Sequence, residues 1–142
     1  MGKEILQLTT LLRKRLRALE SLASEIAAGQ NACVALDLDR VQAHDCRKEG
    51  LCAEIRRIEL EITALRQNAG LLLSQADKKT LYRLWEESEA ARLEVGRRNQ
   101  VYAEFLRRAH STVGVMMNVI SHCLGVYPSE VFPAQTAFER SV

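Results

Sequence analysis

The side chains able to do chemistry in this 142-residue chain are few and scattered. Its three histidines, His44, His110 and His122, stand far apart, and its four cysteines, Cys33, Cys46, Cys52 and Cys123, form no CxxC pair. Metal-ligating types gather once, in His44-Asp45-Cys46 with Cys52. That spacing matches no zinc pattern, so these residues are expected as ordinary helix-surface or core positions with no metal bound. The chain carries no glycine-rich phosphate loop, no HExxH and no nucleophile elbow. Acid–base catalysis needs groups that converge on one reacting atom. Nothing in these spacings brings them together, so neither enzymatic turnover nor a cofactor is expected.

Three arginine pairs, Arg56-Arg57, Arg97-Arg98 and Arg107-Arg108, raise the question of a nucleic-acid partner. On a helix, neighbours point about 100° apart, so a pair is not a patch. Glu54, Glu59, Glu94 and Glu104 lie at distances that offer partners within the same helix. Lys and Arg number 20 against 18 Asp and Glu, a net +2, which lacks the basic excess of a nucleic-acid binder. No nucleic acid is expected as a partner.

The elements that would carry these residues are helices. Apolar residues make up 47% of the chain but aromatics only 5%, and both prolines, Pro128 and Pro133, lie near the C-terminus. Nothing before them forbids continuous helix. Ile5, Leu8, Leu12, Leu16, Leu19, Ala23 and Ile26 recur at steps of three and four, and Leu6, Leu11 and Leu22 widen the stripe. Arg13, Lys14, Arg15 and Arg17 fall largely on the opposite, solvent side. A break is predicted at Asp37-Leu38-Asp39, where an aspartate can cap the next helix. The second stripe runs through Leu38, Val41, Leu51, Ile55, Ile58, Ile62, Leu65 and Leu72, with a polar middle from Gln42 to Gly50. Ser74-Gln75-Ala76-Asp77 reads as the turn before a third helix, with Ser74 or Asp77 as its cap.

That third stripe is the longest: Leu81, Leu84, Ser88, Ala91, Val95, Asn99, Tyr102, Leu106, Ala109, Val113, Met116 and Ile120. A helix over 78–124 would span about 70 Å, and such a rod needs other helices alongside it. The predicted fold is all-α: an elongated antiparallel three-helix bundle with coiled-coil-like packing over residues 1–125. Residues 126–142 read as a flexible C-terminal tail with apolar anchors at Val126, Tyr127, Val131, Phe132 and Phe138.

Two features of the third stripe point to partner binding. Asn99 stands where an apolar residue is expected, either as a register-fixing polar residue in the seam or on a partner-facing groove. The stretch Val113–Ile120 is apolar nearly all round, Gly114 permits a close backbone, and Met116 and Met117 make the surface adaptable. It could equally close on a second copy of the chain, as in a structural coiled-coil adaptor or homodimer. The N-terminus begins a charged amphipathic stretch and not an apolar signal core. It also has Leu6 where a myristoylation signal needs Ser or Thr. With no apolar run of about 20 residues, membrane insertion is not expected. The cytoplasm is the expected compartment, and a disulfide framework is not.

Several residues together resemble the FlgN-like flagellar export chaperones. These are Ala28-Gly29-Gln30-Asn31 followed by Ala35-Leu36-Asp37 and Lys48…Leu51, then Arg97-Arg98-Asn99 opening a long amphipathic stretch that ends in Leu124-Gly125-Val126-Tyr127. The resemblance covers most of the chain. It implies a cytosolic bacterial chaperone that binds the C-terminal helical segment of hook-associated (hook–filament junction) proteins. Such a chaperone prevents premature assembly and delivers its client to the flagellar type III export gate. On that resemblance Val113, Met116, Met117, Ile120 and Leu124 line the client groove, which Asn99, Tyr102 and Leu106 extend. Tyr127 stands in the place of the tyrosine that docks such chaperones on the export apparatus. The chain departs from the family after that tyrosine, with Pro128-Ser129 where a glycine-rich run is expected.

Overall fold

Turn chemistry sets where the helices start and stop. The computed structural model describes residues 2–68 and 74–125. They form three helices: α1 (Gly2–Val34), α2 (Leu38–Asn68) and α3 (Gln75–Leu124). There is no strand among the described residues. Gly29 does not interrupt α1, which ends in a Schellman arrangement. There the Asp37 N–H donates to Ala32 O and the Leu36 N–H to Cys33 O, each at 3.0 Å. The left-handed residue this motif requires is Leu36 (φ 58°), where glycine is usual. Asp37 then caps α2 at once: its Oδ1 accepts the Arg40 N–H at 3.2 Å. Ser74 caps α3, accepting the Asp77 N–H at 3.2 Å while its hydroxyl donates to Asp77 Oδ2 at 2.6 Å. With Ser74 as the cap, α3 begins at Gln75, one turn earlier than the predicted 78. It stops before Gly125, whose φ of +73° suits the position after a helix end.

The chain divides by its own contacts into two units, residues 1–99 and 100–142, so the boundary falls inside α3. The pattern predicts one bundle through residue 125. In the first unit all three helices pack together as a bundle. Leu8, Leu11 and Leu12 of α1, Ile58 and Ile62 of α2, and Leu81 and Leu84 of α3 form its core cluster. Early α1 residues meet late α2 residues in that cluster, whereas Glu25, late in α1, meets His44, early in α2. The two helices are therefore antiparallel. Arg15 reaches Ser88 and Glu89, and Ala23 is reached by Arg98, so α3 runs parallel to α1. The stripe residues Leu6 and Leu38 are exposed and take no part in this core.

Two polar residues, one of them predicted on the solvent side, lie inside. Arg15, assigned by the pattern to the solvent side of α1, is only 3% exposed. Its guanidinium donates to Glu59 Oε1 of α2 at 3.1 Å, to Glu89 Oε1 of α3 at 3.0 Å, and to the Ser88 hydroxyl. It also lies over the Trp85 ring, 5.0 Å from the centroid, where a cation is attracted by the ring's negative face. One side chain thus ties three helices together at a buried point. His44, in the polar middle of α2, is buried too, with Nδ1 2.5 Å from Glu25 Oε2. The Arg47 guanidinium lies 2.9 Å from the same ring nitrogen, so histidine, arginine and the Glu25 carboxylate form one cluster. Among the described residues no buried polar side-chain atom lacks a hydrogen-bond partner.

These pairings fix the acid side of the stability profile. Hydrogen bonds from Arg97 and Arg98 lower the Glu94 carboxyl from 4.5 to about 2. His44, then Arg47, lower Glu25; at Glu89 burial pushes upward, but hydrogen bonds from Arg92 and Arg15 outweigh it. All three carboxylates bind protons less readily folded than unfolded. Their contribution is complete above the unfolded value of 4.5 and is lost as pH falls below it, for Glu94 over the range down to about 2. The melting temperature is therefore expected to hold steady near neutrality and decline below about pH 4.5. Glu94→Gln is expected to flatten that decline. A melting temperature unchanged down to about pH 2.5 would contradict the assignment.

Candidate functional site

α3 runs for 50 residues, against 33 for α1 and 31 for α2. The sequence changes character at its far end. From Ala109 to Leu124 there is no Asp, Glu, Lys or Arg. Within this run Val113, Val115, Met116, Val119, Ile120 and Leu124 are between 46% and 73% exposed. Single exposed apolar residues are ordinary, but six within four turns of an uncharged helix make a contiguous apolar surface. No helix among the described residues is long and apolar enough to cross a membrane.

The predicted site residues separate into two groups. Val113, Met116, Ile120 and Leu124 recur at steps of three and four, share one face and are exposed; Met117 beside them is half-buried. Leu106 is half-buried and Tyr102 is buried at 6% exposure, so neither stands on the open surface with the others. Asn99 is exposed, which removes the reading of a buried, register-fixing seam residue. A methyl group added at Gly114 would meet open space, so no described part of the chain makes the close approach that this glycine permits. Val115 and Val119 were not singled out by the stripe because they lie off it; the uncharged run is the signal that finds them. Tyr127, Leu72 and the whole predicted tail, 126–142, lie outside the described residues.

Upstream of this face the charges neutralise one another. Glu94 binds Arg97 at 2.7 and 2.9 Å and Arg98 at 2.8 Å, and Arg98 also donates to Ala23 O at 3.0 Å, joining α3 to α1. Arg108 pairs with Glu104 at 2.7 Å. Of the partners predicted for Arg56 and Arg57, Glu59 is held by Arg15 instead. Arg57 turns to Glu61 at 3.4 Å, and Arg56 donates to Cys52 O at 3.3 Å. No disulfide joins the four cysteines. No group of three His, Cys, Asp or Glu among the described residues is placed to hold a metal ion. What the α3 face can do chemically is bury apolar surface against another molecule. Comparison with protein-family models, curated proteins and solved structures returned no match to this chain.

Proposed function

We propose that this chain is a non-catalytic binding protein of the FlgN-like export-chaperone type, which covers an amphipathic helical segment of another protein with the end of α3. The observation that carries this reading is the exposed, uncharged apolar run from Val113 to Leu124. An amphipathic helix laid along that face would bury its own apolar stripe there, in the manner of helix-in-groove recognition. Val113, Met116, Ile120 and Leu124 supply anchors at steps of three and four, and Met117 beside Met116 lets the surface adapt to the client. The clients are hook-associated proteins and the destination is the flagellar export apparatus, reached through Tyr127. The chaperone works in the cytoplasm without cofactor or nucleic acid.

Calorimetric titration of the full chain with the C-terminal segment of a hook-associated protein tests this reading. One-to-one binding, with the segment gaining helicity by circular dichroism, is the expected result. A coiled-coil adaptor, in which the same face closes on a second copy, makes the opposite prediction. Sedimentation would then show a stable dimer at micromolar concentration that persists when the segment is added. Absence of binding by the segment would remove the chaperone reading.

A further inference from the structure

A second apolar surface opens in the first unit, built from residues that play no part in the α3 face. Where the early turns of α1, the last turns of α2 and the first turns of α3 meet, a groove of about 940 Å³ lies over the edge of the core, whose floor residues are each 8% exposed or less. Its floor is Leu8, Leu12, Ile62 and Leu81, all members of the core cluster. Tyr82 and Trp85 stand at its lip, 63% and 38% exposed. Arg15 holds Trp85 from one side, 5.0 Å from the ring centroid, so the indole is fixed in place while part of it stays open to solvent. An aromatic residue immobilised in this way loses little rotamer freedom on binding. Such anchors dominate binding energy at protein interfaces.

The charged residues that line the groove are all basic, while Tyr82 at the lip bonds Glu86 just outside it. Arg66 of α2 and Lys78 and Lys79 of α3 all line the groove. Among the described residues no carboxylate lies within salt-bridge distance of any of the three. Further along the same helix the pattern reverses: Arg83, Arg92, Arg97 and Arg98 are each held by a glutamate. The groove therefore joins an apolar floor to a rim of positive charge that no described carboxylate pairs with.

From this combination we infer that the groove between α1, α2 and the start of α3 is a docking site for an acidic amphipathic helix of a partner protein. Apolar side chains at i, i+3, i+4 and i+7 of that helix would lie on the leucine and isoleucine floor and against Trp85. Flanking glutamates or aspartates would meet Arg66, Lys78 and Lys79. The groove is at the upper end of the size range of small-molecule sites, about 300–1000 Å³, but those sites enclose most of their ligand. This one is open along one side, which suits a helix that docks by one face. Complementary charge would set the sign of the partner and quicken its encounter more than it would deepen affinity.

Trp85 is the only tryptophan in the chain and lines the groove, so its fluorescence reports directly on occupancy. The probe is a synthetic amphipathic helical peptide with leucines at i, i+3, i+4 and i+7 and glutamates flanking them, titrated into the full chain. A saturable blue shift of the Trp85 emission is expected, weakening as salt is raised. The same peptide with lysines replacing the glutamates is expected to bind at least about tenfold more weakly. The double variant Lys78→Glu, Lys79→Glu is expected to lose about tenfold in affinity for the acidic peptide. Both residues are exposed in the first turns of α3, where acidic side chains are tolerated, so its melting temperature should stay near that of the parent. An unchanged spectrum with the acidic peptide would overturn the inference. So would equal binding of the two peptides, or a response to phosphatidylglycerol vesicles but not to the peptide. Binding to the α3 face leaves Lys78 and Lys79 untouched, so failure here is distinguishable from failure of the chaperone reading.

Discussion

Arg15→Ala is expected to cost about 2–4 kcal/mol of stability and to lower the melting temperature by about 10 °C. The reason is that one residue closes four interactions at a point only 3% exposed. Its removal strands the Ser88 hydroxyl, which is wholly buried, without its partner. It also takes the cation from the Trp85 face and leaves Glu59 without its Arg15 partner, while Glu89 keeps only Arg92. Those two carboxylates are 44% and 29% exposed, so water screens part of their loss, and the ion pairs alone are worth little. The greater share comes from the stranded hydroxyl and from the cavity left by the arginine stem. Lysine should not rescue the site, because an ammonium cannot reach Ser88, Glu59 and Glu89 at once or stack flat on the indole. Arg15→Leu combined with Ser88→Ala should recover part of the loss, since the buried arginine and hydroxyl are replaced together while Glu59 and Glu89 keep access to water. Thermal unfolding of the three variants decides this. Equal melting temperatures for Arg15→Ala and the parent would show that the cluster contributes nothing.

The second large effect falls on binding and leaves the fold intact. Met116→Asp with Ile120→Asp is expected to weaken capture of a helical client segment by at least about 100-fold while circular dichroism stays that of the parent. Both side chains are roughly half exposed, so the free protein keeps a solvated carboxylate at each site and loses only a small helix propensity term. In the complex those carboxylates would be trapped against apolar surface, at about 2 kcal/mol or more each. A factor of 100 needs only about 2.8 kcal/mol. Asn118→Asp, on the opposite side of the helix from Met116, is the control and should change affinity by no more than about threefold. Undiminished binding by the double variant would place the client elsewhere. The magnitudes also bound what this face can do alone. Six side chains about half exposed offer on the order of 5–8 kcal/mol of gross burial, against an association cost of about 4–15 kcal/mol. Tight capture therefore requires the client to cover more than the six, and the half-buried Met117 and Leu106 lie on the same helix next to them.

By itself the sequence determined the helices, the caps between them and the apolar run at the end of α3. Those features are local: a 3–4 spacing selects a helical face, Asp37 and Ser74 satisfy free N–H groups at helix starts, and an uncharged stretch is visible without knowing its neighbours. Arg15 shows why the rest was not legible. Leu8, Leu12, Arg15, Leu19, Leu22 and Ile26 follow the same 3–4 spacing, so the buried seam of α1 runs straight through the arginine. Read by residue type, Arg15 belongs with Arg13, Lys14 and Arg17 on the wet side. Ser88, the one small polar residue in the apolar stripe of α3, marks where its guanidinium would fit, but only packing brings the two together across 73 positions. His44 is the same case, a polar residue in a polar stretch that is buried because Glu25 of another helix faces it. Whether a charged side chain is solvated or paired depends on what stands opposite, and that is a property of the assembled helices. The tertiary structure likewise decided that Tyr102 is buried while Met116 and Ile120 are open, although one stripe carries all three. It also placed Lys78, Lys79 and Arg66 around a shared groove, which no spacing along a single helix reveals.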